Sequence, residues 1–441
     1  MLFHSATYLL IFLPFVFSVY FLLRKFTEDD GKYFIIFSGI FFYGWWNINF
    51  TPLIICSVLF NYFISQKIIN LENNSKKKII LLTGVACNIF YLGIFKYTDF
   101  VIDNLNHIFQ LNIQTFNLPF PLAMSFFTFQ TIAYLVDCFD GEVEKRSLKD
   151  YSLFIIFFPQ LIAGPIVRYN NMMSQFNSIH NKRINSKNIL LGLTIIIIGL
   201  FKKVILADNL SINVDYGFEN YDTINFIESW IVSFSFTLQL YFDFSGYIDM
   251  ATGSALLFNI LLPKNFDSPF KATSLIDFWK KWHITLFNFL MNYIYFPILR
   301  SFQNINFFTA MIVTLIVFII SGFWHGPSYG YILFGTMHGL GLIINHTFNK
   351  FNLFKINKII SWFLTINYVN FTLIFFRCEN LDSALSIIKS MMGMNNISFK
   401  TNFFENYYII IVYILSLVIV FFFKNVNFLI ENYFEKKELI K

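Results

Sequence analysis

The sequence predicts an all-α polytopic membrane protein, and three observations carry that prediction. Hydrophobic residues occupy 56% of the 441 positions and charged residues only 13%, whereas an ordinary soluble domain carries about 25% charged residues. The mean hydropathy is +0.59. Apolar runs recur from Leu9 to Leu429 with no long polar interval, and about eleven of them approach the roughly 20 residues that cross a bilayer as a helix. Within hydrocarbon, each backbone N–H and C=O must be satisfied inside the chain, which helices achieve segment by segment. A single integral membrane domain over residues 1–441 is therefore expected, with the lipid bilayer as its solvent.

The apolar runs lie near residues 6–23, 33–50, 51–70, 79–97, 118–139, 189–206, 226–262, 308–324, 328–348, 358–376 and 405–423. The run from Ala6 to Leu23 is longer than a signal-peptide core and has no basic leader, so it is expected to remain as the first span. The run at 226–262 is too long for one crossing and is expected to be broken. Two shorter runs, Tyr151 to Val167 and Ile284 to Leu299, contain prolines or a glycine and are expected to be re-entrant or interfacial helices.

Charge patterning orients the spans. Arg24, Lys25 and Lys32 follow the first run, Lys76 to Lys78 the third, and Lys145, Arg146 and Lys149 the fifth. The intervening loops, near Asn49 and from Thr98 to Asn117, hold no Lys or Arg. The positive-inside rule then places the N-terminus outside and the three basic loops in the cytoplasm, as for a bacterial inner-membrane protein. The net charge of +6 is spread over these short breaks, a distribution that argues against nucleic acid as a partner. Cys56, Cys87, Cys138 and Cys378 show no zinc or redox spacing, and no metal is expected.

Titratable residues in a membrane are costly and are retained where they meet a partner or a water-filled cavity. His325 lies in SGFWHGPSYG, where Gly322, Gly326 and Pro327 would interrupt a helix and open backbone to a cavity. His283 lies in DFWKKWHITL, whose Trp279, Lys280, Lys281 and Trp282 also read as an interfacial anchor. His338, in FGTMHGLGL, equally suits a hydrogen bond across packed small-residue helices. His4, His107, His180 and His346 read as loop or span-end residues. Asp243 and Asp249, in QLYFDFSGYIDM, are expected to pin neighbouring helices. Arg168 follows the Gly-Pro turn of FFPQLIAGPIVRY, where it would hold a phosphate-rich donor or snorkel to the interface. No glycine-rich phosphate loop or Ser/His/Asp order is present.

Taken together, FFYGWWN from Phe41, LPFPLAMSFFTFQTIAYLVDCFDGE from Leu118, FFPQLIAGPIVRY from Phe157, YFDFSGYIDMATGSALLFNI from Tyr241, NFDSPFKATSLIDFWKKWHITL from Asn265, SGFWHG from Ser321 and FFRCENLDSAL from Phe375 resemble the membrane-bound O-acyltransferase family, in its bacterial polysaccharide O-acetylation branch. The resemblance covers about residues 40–390. It implies a funnel-shaped bundle of about eleven spans with a tunnel through its thin middle. It also implies His325 as catalytic base and His283 as the second motif histidine, with His338 in a supporting role; Asp243, Arg168 and Trp324 are further supporting candidates from their own sequence context. One departure is that Met291 and Asn292 stand where the family usually carries an Arg-Asp pair.

The activity so implied passes acetyl from a cytoplasmic donor, acetyl-CoA, across the membrane to a periplasmic acetyltransferase partner, for O-acetylation of a cell-surface polysaccharide. No bound cofactor is expected. A composition rich in Ile, Asn and Lys, as AT-rich genomes produce, favours peptidoglycan over alginate. Two alternatives are a D-alanyl or other acyl transferase of the same family, and a transporter or flippase that uses the buried carboxylates and histidines as a polar path without bond chemistry.

Overall fold

The computed structural model describes all residues except 145–146, 179–180, 182, 353–355, 379, 396, 399–406 and 439–441. Lys145, Arg146 and His180 therefore lie outside the described residues. The described chain is helical, with no strand. Its helices are α1 (Thr7–Leu23), α2 (Glu28–Gly44), α3 (Thr51–Asn70), α4 (Asn74–Phe109), α5 (Met124–Phe139), α6 (Leu148–Ile156), α7 (Phe158–Leu161), α8 (Tyr169–Phe176), α9 (Ser186–Glu219) and α10 (Phe226–Leu257). There follow α11 (Leu275–Trp279), α12 (Ile284–Leu290), α13 (Phe296–Arg300), α14 (Phe307–His325), α15 (Tyr329–Phe351), α16 (Lys358–Arg377), α17 (Leu381–Met391), α18 (Tyr407–Phe422) and α19 (Val426–Glu438).

Each of the long apolar runs holds a helix, and among the described residues six helices are long and apolar enough to cross a membrane, with α1 and α5 as shorter apolar helices. The expected break in the 226–262 run does not occur: α10 continues for 32 residues to Leu257. The two shorter Pro-containing runs do break up. Tyr151 to Val167 contains the ends of α6 and all of α7 before an extended stretch, and Ile284 to Leu299 is split by a single π turn at Met291–Tyr295.

Helix starts are chemically marked. Thr27, Asn73, Ser147 and Ser274 each accept a bond from the backbone N–H three residues on, satisfying one of the donors that a helix N-terminus leaves open. At α14, Asn306 and Thr309 form a reciprocal capping box.

The chain forms two compact units, one of residues 1–197 and 247–263, the other of 198–246 and 264–441. The unit boundaries fall inside α9 and α10, so both helices contribute to each. In the first unit, Asn61 of α3 and Asn88 of α4 exchange side-chain amide bonds at 3.1 and 2.7 Å. Such a pair satisfies four polar groups between helices that lipid could not satisfy. Lys32 reaches Asp150 at 3.1 Å, and Lys149 bonds Asp29, so the N-terminal turns of α2 and α6 are joined by ion pairs. The basic residues that mark topology are thus also structural.

In the second unit α14 and α15 approach closely through glycine. A Cβ on Gly322 would lie 2.3 Å from the Tyr331 carbonyl oxygen, and one on Gly335 would lie 2.2 Å from that of Phe318. Gly322 is inside α14, so it does not interrupt the helix as expected from sequence; it allows the neighbouring backbone in. Only at Gly326, which turns extended, does α14 stop. The helix end leaves His325 as its last residue.

Candidate active site

Three histidines come together in the second unit, each placed by a different device. His283 sits in the turn between α11 and α12 with φ +45°, a left-handed conformation that a residue with a Cβ adopts only when its surroundings enforce it. Asn265 enforces it. Its carbonyl accepts the Ile284 N–H at 2.9 Å, and its side-chain Oδ1 faces the Thr285 N–H at 3.1 Å, the Thr285 hydroxyl at 2.9 Å and His283 Nδ1 at 3.2 Å. Both Asn265 and His283 are buried.

This geometry selects a tautomer. Because the Thr285 backbone N–H can only donate, the Asn265 atom facing it is the oxygen, and His283 Nδ1 must therefore donate its own proton to that oxygen. In the neutral ring Nε2 then carries no proton. Around the ring, Phe244 packs edge-on at 4.8 Å and Phe266 at 6.5 Å, so the imidazole is held in an aromatic cage.

His338 is fully buried on α15 and both its nitrogens are engaged. The Trp279 indole N–H donates to Nδ1 at 3.2 Å, which obliges Nε2 to carry the proton and donate it to the Thr372 hydroxyl at 2.9 Å. Thr372 in turn donates to the Val369 carbonyl at 2.8 Å. Trp279 and Trp282 are themselves buried, so the interfacial-anchor reading of that segment does not hold; these indoles are ring contacts of the site.

His325, less deeply buried, is ringed by Trp324 at 4.9 Å, Phe376 at 5.0 Å, Phe334 at 6.0 Å and Tyr331 at 6.3 Å. Phe334 also packs on His338 at 4.6 Å. On the other side of His338 a chain of rings, Phe278, Trp282 and Phe266, leads to His283. Aromatic packing thus links the three imidazoles on α14, α15 and the α11–α12 turn.

The remaining sequence candidates go elsewhere. Asp243 is half-exposed and binds Lys203 at 2.5 Å, with Lys203 also on Asp208 at 2.9 Å, an ion cluster joining α9 to α10. This matches a pinning role and corrects the expectation of a buried carboxylate. Arg168 belongs to the first unit, where it precedes α8 without a side-chain capping bond and pairs with Glu142 at 3.1 Å. Trp324 is buried beside His325. Asn265 was missed by sequence reasoning, although it heads the WKKWH motif segment; it stands among Lys264, Asp267 and Ser268, where an Asn is unremarkable. Among the described residues no group of three His, Cys, Asp or Glu side chains could hold a metal ion.

A bundle of apolar helices, six of them long and apolar enough to cross a membrane among the described residues, with three histidines gathered in one unit, defines a polytopic membrane protein. The membrane-bound O-acyltransferase family model matches residues 40–381. The chain is 41% identical to a peptidoglycan O-acetyltransferase of Helicobacter pylori, covering 90% of this chain and 81% of that one. It is 32% identical to a probable alginate O-acetylase AlgI of Pseudomonas aeruginosa, over 89% and 75% of the two chains. A teichoic acid D-alanyltransferase of Streptococcus thermophilus is 27% identical, over 51% of this chain and 56% of that one. This chain belongs to the membrane-bound O-acyltransferase family, and is a membrane-embedded enzyme that transfers acyl groups to oxygen in the O-acetylation of cell-surface polysaccharide.

Proposed function

We propose that the chain takes acetyl from cytoplasmic acetyl-CoA and delivers it across the bacterial inner membrane for O-acetylation of peptidoglycan, with His325 as general base and His283 as the second imidazole on the acetyl path. The observation that supports this best is the Asn265 contact, which sets the protonation of the His283 ring in the same unit of the chain that holds His325. The hydroxyl oxygen attacks the thioester carbonyl carbon while the imidazole accepts the hydroxyl proton. The carbon–sulfur bond then breaks, the ester forms, and the proton passes to the departing CoA thiolate. A positioned base contributes about 10²–10⁴ in rate, or roughly 3–5 kcal/mol of barrier. Burial among aromatic rings excludes the water that would hydrolyse the thioester.

A periplasmic acetyltransferase partner would complete the transfer to sugar hydroxyls. Acetyl is preferred to D-alanyl because the O-acetylating relatives align with about nine-tenths of this chain and the D-alanyl relative with 51%. Peptidoglycan is preferred to alginate because identity is 41% to the peptidoglycan enzyme against 32% to the alginate one. The orientation has the N-terminus outside, so a cysteine at Lys77 should resist an impermeant thiol reagent on intact cells; ready labelling would reverse it.

The test of the function compares cells carrying wild-type or His325→Ala protein at equal membrane abundance. Purified peptidoglycan should lose its O-acetyl content in the variant. Full acetylation at equal abundance would remove His325 from the chemistry.

A further inference from the structure

Asn265 uses only half of its carboxamide on the His283 turn. Its Oδ1 takes the Thr285 N–H, the Thr285 hydroxyl and His283 Nδ1, while its Nδ2, buried like the rest of the side chain, meets no hydrogen-bond acceptor among the described residues. Turning the amide over gives no relief, because the nitrogen would then face the Thr285 N–H, donor against donor. Buried side-chain polar atoms are rarely left unpaired, so the partner of this donor has to come from another molecule.

The donor is also held still. The Ile284 N–H bonds the Asn265 carbonyl at 2.9 Å and the Asp267 N–H bonds the Lys281 carbonyl at 2.9 Å, so the chain around Asn265 is stitched to both ends of the His283 turn. The Phe266 carbonyl is taken by the Asn427 amide. Three contacts at Oδ1 fix the plane of the carboxamide and with it the direction of Nδ2. Oxygen and nitrogen of one carboxamide are about 2.3 Å apart, which keeps Nδ2 within about 5.5 Å of His283 Nδ1. Phe244 and Phe266, the rings against the imidazole, carry no side-chain acceptor.

We infer that Asn265 Nδ2 donates to the carbonyl oxygen of the acyl group in transit, which makes Asn265 a catalytic residue in its own right. This rests on the placement of His283 on the acetyl path. As the hydroxyl oxygen attacks the thioester carbon, the C=O π pair moves onto the carbonyl oxygen, and the Nδ2–H meets the charge that develops there. The pair returns as the carbon–sulfur bond breaks, and the sulfur leaves with its electrons and takes the proton that the imidazole base had accepted. The amide keeps both of its own protons throughout. A donor fixed in advance among apolar rings stabilises such an oxygen without having to reorient.

Infrared spectroscopy of the full-length protein tests this with an inert ketone, acetyl-CoA carrying a methylene in place of the thioester sulfur and an isotope label in its carbonyl. Bound to wild type, the labelled C=O stretch should lie at lower frequency than when bound to Asn265→Asp, whose ionised carboxylate keeps the acceptor oxygen but has no N–H to give. Acetyl-CoA turnover should fall by about 10² in that variant. Thr285→Ala, which removes one contact at Oδ1 and leaves Nδ2, should keep the low frequency. Independently of any variant, wild type should bind the ketone about tenfold more tightly than S-ethyl-CoA, which has no carbonyl. Equal binding of the two analogues, the same stretch in wild type and Asn265→Asp, or loss of the low frequency in Thr285→Ala as complete as in Asn265→Asp would overturn the inference, the last by making Asn265 a turn residue. Wild type that neither binds the ketone nor cleaves acetyl-CoA would overturn the proposed function itself, and this inference with it.

Discussion

His283 and His338 are both buried in the same unit, and they differ in what their ring nitrogens face. At His338 the Trp279 indole and the Thr372 hydroxyl occupy both positions. At His283 one nitrogen donates to Asn265, and the ring lies among Phe side chains. On the proposed function the same side chain is a clamp in one place and a base-competent group in the other, and burial alone does not separate the two. Hydrogen-bond partners do, because an imidazole that donates at one nitrogen and accepts at the other has no capacity left for a substrate proton.

Several substitutions would break or sharpen this contrast. The largest effect should come from His325→Ala and His283→Ala: acetyl transfer should fall by at least about 10² while donor affinity changes little, since a base acts on the transition state. Steady-state turnover beside acetyl-CoA binding checks both halves. Next, Asn265→Ala removes the acceptor that selects the His283 tautomer and supports its left-handed turn. Turnover should drop about 10- to 100-fold with the histidines still in place, by analogy with the partners that orient other functional imidazoles. An unchanged rate would mean that Asn265 is a turn residue only.

His338→Ala should act on stability. Losing the ring leaves the Trp279 N–H and the Thr372 hydroxyl without it, at about 1–3 kcal/mol for each buried group left unpaired. Folded yield and the thermal midpoint in detergent should fall, while the protein that folds keeps most of its specific activity. Smallest of all is Asp243→Asn. Its carboxylate is half-exposed and Lys203 retains Asp208, so about 1 kcal/mol or less is at stake. Folded yield should fall more than turnover per folded molecule, and normal yield with abolished turnover would move Asp243 into the active site.

The apolar runs made the helices legible, since hydropathy over 20 residues is a local property and membrane helices satisfy their backbones locally. The exception was α10, where length alone argued for a break that its 32-residue helix does not contain. The three histidines were legible because ionisable groups in apolar runs are rare. Their division of labour was not. His338 depends on Trp279, 59 positions away, and on Thr372, 34 positions away, while His283 depends on Asn265, 18 positions away. Gly322 was misread for a related reason: a glycine in a sequence shows that a side chain is missing, but only the packed structure shows that a neighbouring backbone fills the space.

The most direct test of the account is acetyl-CoA thioester turnover by purified His283→Gln, His325→Gln and His338→Gln proteins, measured side by side at equal folded amounts. Glutamine keeps a polar amide that can make one or both ring hydrogen bonds but cannot accept a proton at neutral pH. The account predicts turnover lower by about 10² or more for the His283 and His325 variants and near wild type for the His338 variant. Loss of turnover in the His338 variant equal to that in the other two, or near wild-type turnover in the His283 or His325 variant, would contradict it.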